Sequence, residues 1–346
     1  MNKKRVLSGI RATGRLHLGN YFGAIKGMLT LQDDPEFETL YMVADLHTLT
    51  TPYQVEELRQ NRREIIIDYL AAGLDPEKSI LFQQSANPHH AEFAFYLSSV
   101  VTIAKMQHLP TFKDKVKQYP QYVTMALLNY PVLMAADILI YKASDVPVGI
   151  DQEPHLEVAR EIARRMNQDY GTDFPEPQIF KTIGEYVSSL TGEGKMSKSV
   201  EGSYINLTDD LETIRKKIAK IPTDSGKGII DKGVYISRSA MPNNGVVAIA
   251  PSNGVKNLME FIELFKGKER RKELDNQYQD VGLRYSEVKN ELAEAIYQEL
   301  QPIQEKRQEL ENNPQKVDSI ISVGNEKATV LASEVVKEVR EKMGLL

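Results

Sequence analysis

The stretch RVLSGIRATGRLHLGNYFGAIKGML, Arg5 to Leu29, decides how the rest of the chain is read. It opens on a short apolar run that stops at Gly9, as a buried strand does. It closes on Leu18, Tyr21, Phe22, Ile25, Met28 and Leu29, three and four residues apart, as one face of a helix requires. Between the two lie Gly9, Gly14 and Gly19. Glycines there loosen the turn and clear side chains from the helix start, whose unpaired N–H groups and positive dipole end attract phosphate. His17 and Asn20 can each donate a hydrogen bond to a phosphoryl oxygen. The spacing is not that of a dinucleotide fingerprint, so taken alone the turn is equally a structural one.

Outward from this unit the alternation continues. TLYMVAD, ending at Asp45, reads as a second buried strand. Val55, Leu58, Ile65, Ile66, Tyr69 and Leu70 mark a helix closed by Gly73, and SILFQQS (79–85) a third strand. Strand, helix, strand, helix, strand implies a parallel α/β sheet with right-handed crossovers. After helical material from about Pro88 to Tyr141, VPVG (146–149) predicts a strand, EPHLEVAREIARRMN (153–167) a helix with Pro154 near its first turn, and QIFKTI (178–183) a further strand. Beyond Leu207 the periodicity is helical throughout, at Leu211, Ile214 and Ile218, at Leu258, Ile262 and Phe265, from Val288 to Ile303, and from Val317 to Met343. In Ile221 to Gly254, rich in Gly, Pro, Asn and Ser, GVYIS (233–237) and GVVAIA (245–250) are expected to pair as a hairpin. The boundary is drawn at 210/211, with a sheet domain over residues 1–210 and a helical domain over 211–346 whose last helix packs back on the first.

Composition narrows the classes of function. With 346 residues, 41% of them hydrophobic, the chain exceeds what one core serves. It has no cysteine, which excludes disulfides, zinc–thiolate sites and a cysteine nucleophile. A net charge of −5 argues against wholesale coating of nucleic acid, and no DNA partner is expected. Basic clusters at 113–117, 215–220 and 266–272 read first as solvated helix faces. No stretch is apolar enough for a signal peptide or a membrane span, so no membrane role and a cytoplasmic location are expected.

The second informative stretch is GEGKMSKSVEG, Gly192 to Gly202, which holds two lysines three residues apart on a segment too flexible for a core. HLGN at the first crossover and KMSKS after the last strand together resemble the signature pair of class I aminoacyl-tRNA synthetases, in order and in place. The resemblance implies that Lys195 and Lys198 close over the β and γ phosphates of ATP, where departing pyrophosphate concentrates charge. A third stretch, NYPVLMAADILIYKASDVPVGIDQEPHLE (129–157), resembles the tryptophan members of that family.

What the resemblance implies is specific. The fold is α/β, a Rossmann-like parallel-sheet catalytic domain with a C-terminal α-helical anticodon-binding domain, and the protein works as a homodimer with its interface around 88–141. The substrates are L-tryptophan, ATP with Mg2+, and tRNA(Trp); no protein metal site is implied. Asp137 accepts the indole N–H, Met134 lines the ring slot, and Tyr130 and Gln152 orient the α-ammonium, with Leu7 and Gly9 beside them. ATP falls to Arg11, Thr13, Gly19, Asn20, Gly149, Asp151, Lys195, Met196, Ser197 and Lys198. His17, Asn20, Lys195, Lys198 and Lys115 act as electrostatic catalysts. Physics agrees on Asp137: an acid in an apolar slot is costly to bury without a donor, and indole offers one N–H and no acceptor.

Departures and rivals are visible too. Ala12 stands where the family usually has proline and Ile150 where glutamate is common, and residues 227–250 match nothing in the family. The iron–sulfur cluster of some relatives is excluded by the absence of cysteine. A tyrosine enzyme would pair QxxD with VGGxDQ; a small adenylyltransferase would lack KMSKS; a non-catalytic paralogue would not need both lysines. His89 and His90 are adjacent, point apart on a helix and lack acidic partners at ligand spacing, and His47 follows a strand end where it faces a pocket or is structural.

Overall fold

The computed structural model describes residues 3–149, 152–180, 186–198, 200–237 and 252–346. They fall into two compact units. One comprises residues 1–15, 24–184 and 307–346, the other 16–23 and 185–306, so the division does not follow a cut at 210/211. The turn bearing HLGN belongs with the second unit, and the last helix with the sheet.

The first unit is built on a parallel sheet of β1 (Lys4–Arg11), β2 (Phe37–Ala44), β3 (Ser79–Gln83), β4 (Asp145–Val146) and β5 (Gln178–Ile179), in the order β3-β2-β1-β4-β5. The order reverses between β1 and β4, and a parallel sheet opens a crevice at the carboxyl ends of its strands at such a point. Arg11 ends β1 there. The strand expected over VPVG is instead Asp145–Val146, because Pro147 has no N–H to give the ladder. Of the strand expected over 178–183, Gln178 and Ile179 pair with β4, and 181–183 lie outside the described residues. At Gly9, opposite Met42, a Cβ would stand 3.0 Å from the Met42 carbonyl oxygen, which is why a glycine sits in this strand.

Helices α3 (Val55–Ala71), α4 (His89–Ser98), α5 (Ile103–His108), α6 (Pro110–Gln118), α7 (Met125–Leu139) and α8 (Glu153–Tyr170) surround the sheet. One apolar core runs from Leu7, Leu40 and Phe82 through Ala135, Ala136 and Ile138 of α7 to Leu156, Ile162 and Met166 of α8. The last helix, α12 (Pro314–Lys342), crosses the edge strand β3, and it comes so close that a Cβ at Gly324 would land inside the Leu81 carbonyl oxygen. Asn325 Oδ1 accepts the Gln83 N–H at 2.9 Å, so an exposed ladder group finds a partner.

In the second unit α9 (Leu211–Ala219), α10 (Asn253–Gln279) and most of α11 (Tyr285–Glu311) carry the apolar residues expected of them, with Ile214, Ile218, Leu258, Ile262, Leu292 and Ile296 buried. α10 breaks at Gly267, whose φ of 86° is not helical. The strand expected at 233–237 is present as β7 (Val234–Ser237), but it pairs with β6 (Gly228–Asp231). Lys232 (φ 47°) and Gly233 (φ 80°) form the two-residue turn, whose two positive φ values match the twist of the flanking strands. The partner named from sequence, 245–250, lies outside the described residues. Among the described residues, no helix is long and apolar enough to cross a membrane.

Candidate active site

Two constellations emerge, one in each unit. In the second unit His17 precedes α1 (Leu18–Asn20); the chain continues through a π-helical turn (Tyr21–Ile25) into α2 (Lys26–Gln32), which belongs to the first unit. Asn20 Oδ1 reaches back to accept the His17 N–H at 3.2 Å, leaving its NH2 group as the donor for a ligand. The chain around His17 pairs with Asn206, and the Leu18 N–H donates to the Ile205 carbonyl at 3.0 Å. Lys195 pairs with Ser188 in the same way, and the Met196 N–H donates to the Val187 carbonyl at 2.9 Å.

Gly19 joins the two motifs. A Cβ there would sit 2.9 Å from the His17 ring and 3.3 Å from the Met196 side chain, so the glycine is the space in which HLGN and KMSKS meet. Met196 is buried, Lys195 is exposed, and Ser197 and Lys198 are half-buried, with the Ser203 hydroxyl donating to the Ser197 carbonyl. His17 is 7% exposed and its Nδ1 has no partner among the described residues. Burial, with Lys198 and then Lys195 adding repulsion, brings its pKa down to about 4. The ring is therefore neutral at pH 7, a donor and not a fixed cation. Because the folded value lies below the ordinary one of about 6.5, the stability linked to His17 is full above that pH and is lost as pH falls towards 4. An NMR titration of the ring is expected to find a midpoint near 4, moving upward when triphosphate supplies the missing negative charge. A midpoint unchanged by triphosphate would separate His17 from the phosphate.

The first unit holds a cavity of about 230 Å³ lined by Arg11, His47, Thr50, Thr111, Lys115, Leu127, Tyr130, Gln152 and His155. Four candidates named from sequence, Arg11, Lys115, Tyr130 and Gln152, meet here. The Arg11 guanidinium donates to the His47 carbonyl at 3.0 Å and to the Thr51 hydroxyl at 3.1 Å, while its buried Nε has no partner among the described residues. Burial lowers the pKa of Arg11; burial and then the nearby Arg11 lower that of Lys115. Two cations in one cavity whose lining includes no carboxylate make a place for an anion. Across from them His155 Nδ1 donates to Gln152 Oε1 at 3.0 Å, so its Nε2 accepts, and the Tyr130 hydroxyl and Thr111 Oγ1 each lie 2.8 Å from it.

Asp137 is 2% exposed, on α7, and is neither an N-cap nor a surface carboxylate. His47 of the cavity lining donates Nε2–H to its Oδ2 at 2.8 Å, and Gln84 Nε2 and His90 Nδ1 donate to its Oδ1, each at 2.7 Å. Burial alone would push this carboxyl up, but the His47 and His90 hydrogen bonds outweigh it and hold the group below the usual carboxylate range. The remaining candidates lie apart from the cavity lining. Leu7 is in the sheet core and Met134 half-buried against it; Gly9 is exposed at Met42; Thr13 is exposed, its N–H on the Arg11 carbonyl; and Gly149 accepts the Gln152 N–H at 2.9 Å. Asp151 lies outside the described residues.

A family model described as tRNA synthetases class I (W and Y) matches residues 1–301. Tryptophan–tRNA ligases from Clostridium tetani and Helicobacter pylori are 37% and 39% identical over 350 and 352 residues, spanning 100% of this chain and 97% and 100% of theirs. A tryptophanyl-tRNA synthetase from Campylobacter jejuni, solved with ADP and tryptophan, superposes with a TM-score of 0.82 at 31% identity, over 98% of this chain and 99% of that one. This chain belongs to the tryptophanyl-tRNA synthetases. It is thus an ATP-using enzyme, a tryptophan–tRNA ligase of class I. A tyrosyl-tRNA synthetase from Archaeoglobus fulgidus, at 20% identity and a TM-score of 0.62, shares the synthetase fold alone.

Sequence reasoning missed Thr50, Thr111, Leu127 and His155 of the cavity, and His90 beside Asp137. His155 had a signal, since it falls three residues after Gln152 on one helix face. His90 had none: its acidic partner is 47 residues away in the chain and reaches it through packing of α4 on α7.

Proposed function

We propose that the two constellations divide the activation of tryptophan between them. His17, Asn20, Lys195 and Lys198 hold the triphosphate of ATP, with Gly19, Met196 and Ser197 shaping the support; the observation that carries this is the contact of HLGN with KMSKS across Gly19. Tyr130 and Gln152 orient the α-ammonium, Asp137 accepts the indole N–H, and Met134, Leu7 and Gly9 stand near the ring. Arg11, expected from resemblance among the ATP ligands, and Lys115 supply positive charge in the cavity, where a carboxylate or phosphate is the fitting occupant. Thr13, Gly149 and Asp151 remain assigned to ATP.

The tryptophan carboxylate attacks the α-phosphate in line, an acyl O–P bond forms, the bond to the β-phosphate breaks, and its electron pair leaves with pyrophosphate. No covalent enzyme intermediate is needed; positioning and charge stabilisation carry the step. Mg2+ would enter with the nucleotide and shield its phosphate oxygens, since the side chains at this end are cations and donors that suit phosphate and not a metal ion. A hydroxyl of the terminal ribose of tRNA(Trp) then attacks the acyl carbon, an ester C–O bond forms, the acyl C–O bond to the phosphate breaks, and AMP leaves with its electron pair. We assign anticodon reading to the helices beyond residue 211, assembly as a homodimer to the region 88–141, where Phe95, Ile103 and Met125 are 77%, 63% and 72% exposed, and location to the cytoplasm.

The chain contains no tryptophan, so indole fluorescence excited at the red edge reports added ligand alone. Asp137→Ala is expected to weaken tryptophan binding by about 1.5–3 kcal/mol in that titration, with the far-ultraviolet spectrum unchanged. Unchanged affinity in a folded variant would remove Asp137 from the role.

A further inference from the structure

The acid at the centre of this reading is not alone in the core. Asn87, His90, Asp137 and Tyr141 are each no more than 2% exposed, and they form one hydrogen-bonded chain. Burying four polar groups beneath a sheet is costly unless every donor finds an acceptor, and such a network is rigid when it is fully satisfied. Here the direction of each bond can be worked out. Asn87 Oδ1 accepts the His89 N–H at 3.1 Å, so its NH2 turns to the Tyr141 oxygen at 3.3 Å. The Tyr141 oxygen, already an acceptor, gives its proton to His90 Nε2 at 2.8 Å. His90 is then the tautomer with hydrogen on Nδ1, which donates to Asp137 Oδ1 at 2.7 Å. The Phe82 ring, stacked at 6.1 Å on His90 and edge-on at 5.4 Å to Tyr141, holds both planes.

The two carboxylate oxygens therefore differ. Oδ1 takes Gln84 as well as His90, which fills its two lone pairs. Oδ2 takes His47 and, among the described residues, nothing else. We propose that Asn87, Tyr141 and His90 form a positioning relay that commits Oδ1 of Asp137 and reserves Oδ2 to read the N–H of the indole substrate. The relay touches no ligand; it acts by fixing the plane of the carboxylate, so it belongs to specificity and not to chemistry. This rests on Asp137 being the indole acceptor.

The test uses the whole enzyme and two ligands, tryptophan and its benzothiophene analogue, in which sulfur replaces the N–H. Tyr141→Phe removes one buried hydroxyl and keeps the ring. The variant is expected to bind tryptophan about tenfold more weakly, with affinity for the analogue within twofold and KM for ATP unchanged. Equal weakening of both ligands, or of neither, overturns the relay while wild-type preference for tryptophan stands. A wild type without that preference overturns the acceptor reading, and the relay with it. If Tyr141→Phe does not fold, long-range 1H–15N spectra of the wild-type histidines decide. His90 must be the Nδ1–H tautomer, and an Nε2–H or doubly protonated ring sinks the proposal.

Discussion

Lys198→Ala is expected to lower kcat for tryptophan-dependent ATP–pyrophosphate exchange by about 10²–10³-fold, roughly 3–4 kcal/mol of transition-state stabilisation. The reason is the growth of charge on the β-phosphate as pyrophosphate departs, beside a half-buried ammonium whose position is set by the Ser203–Ser197 contact and by Met196 packed against the Gly19 turn. Lys195→Ala should fall in the same direction, by less, because Lys195 is exposed and better screened by water. Tryptophan affinity, read by ligand fluorescence, should hardly move in either, since the residues assigned to the amino acid belong to the first unit. Exchange within threefold of the unaltered enzyme for Lys198→Ala would remove that lysine from catalysis.

The largest effect on stability is expected at Arg307. This residue is 4% exposed and its guanidinium bonds to the carboxylates of Glu64 and Asp68 on α3 and, at 2.9 Å, of Glu311 on its own helix. Asp68 is 1% exposed. Arg307→Ala takes the guanidinium from Asp68 and from Glu64, which keeps Arg15 at 3.9 Å, and is expected to cost about 3–5 kcal/mol in urea unfolding, with aminoacylation of the folded fraction preserved. Adding Asp68→Asn should recover part of the loss, because the penalty lies in a buried charge that has lost its guanidinium and not in the missing contact. A single-variant loss below about 1 kcal/mol would show that water reaches the acids.

Particular residues show where sequence reading reaches its limit. The parallel sheet and the helices beyond 207 were legible because the strands are short continuous apolar runs and the helices repeat their apolar residues every three to four, signals carried within a dozen neighbours. The strand at VPVG came out shorter and earlier because a backbone N–H, which periodicity ignores, is missing at Pro147. Val234–Ser237 pairs with Gly228–Asp231, a partner not named from sequence, because Lys232 and Gly233 make a two-residue turn between them. Of the basic clusters at 215–220 and 266–272, which read as solvated helix faces, Arg215, Lys216, Lys217, Arg270 and Arg271 each pair with an acid. The site was legible as motifs: of the four cavity residues named from sequence, Arg11 lies in the 5–29 stretch and Tyr130 and Gln152 in the 129–157 stretch.

By itself the sequence determined the family and the reaction, because HLGN, KMSKS and MAAD are local strings whose chemistry travels with them. Tertiary structure alone decided that the His17 turn folds with the KMSKS loop and that the last helix, expected to pack back, lies on β3. It also decided that His47, Gln84 and His90 converge on Asp137 from 90, 53 and 47 residues away. The physical reason is common to all three. A buried polar or backbone group must find its partner wherever the chain brings one, and that choice is made by packing in three dimensions, which no local spacing records.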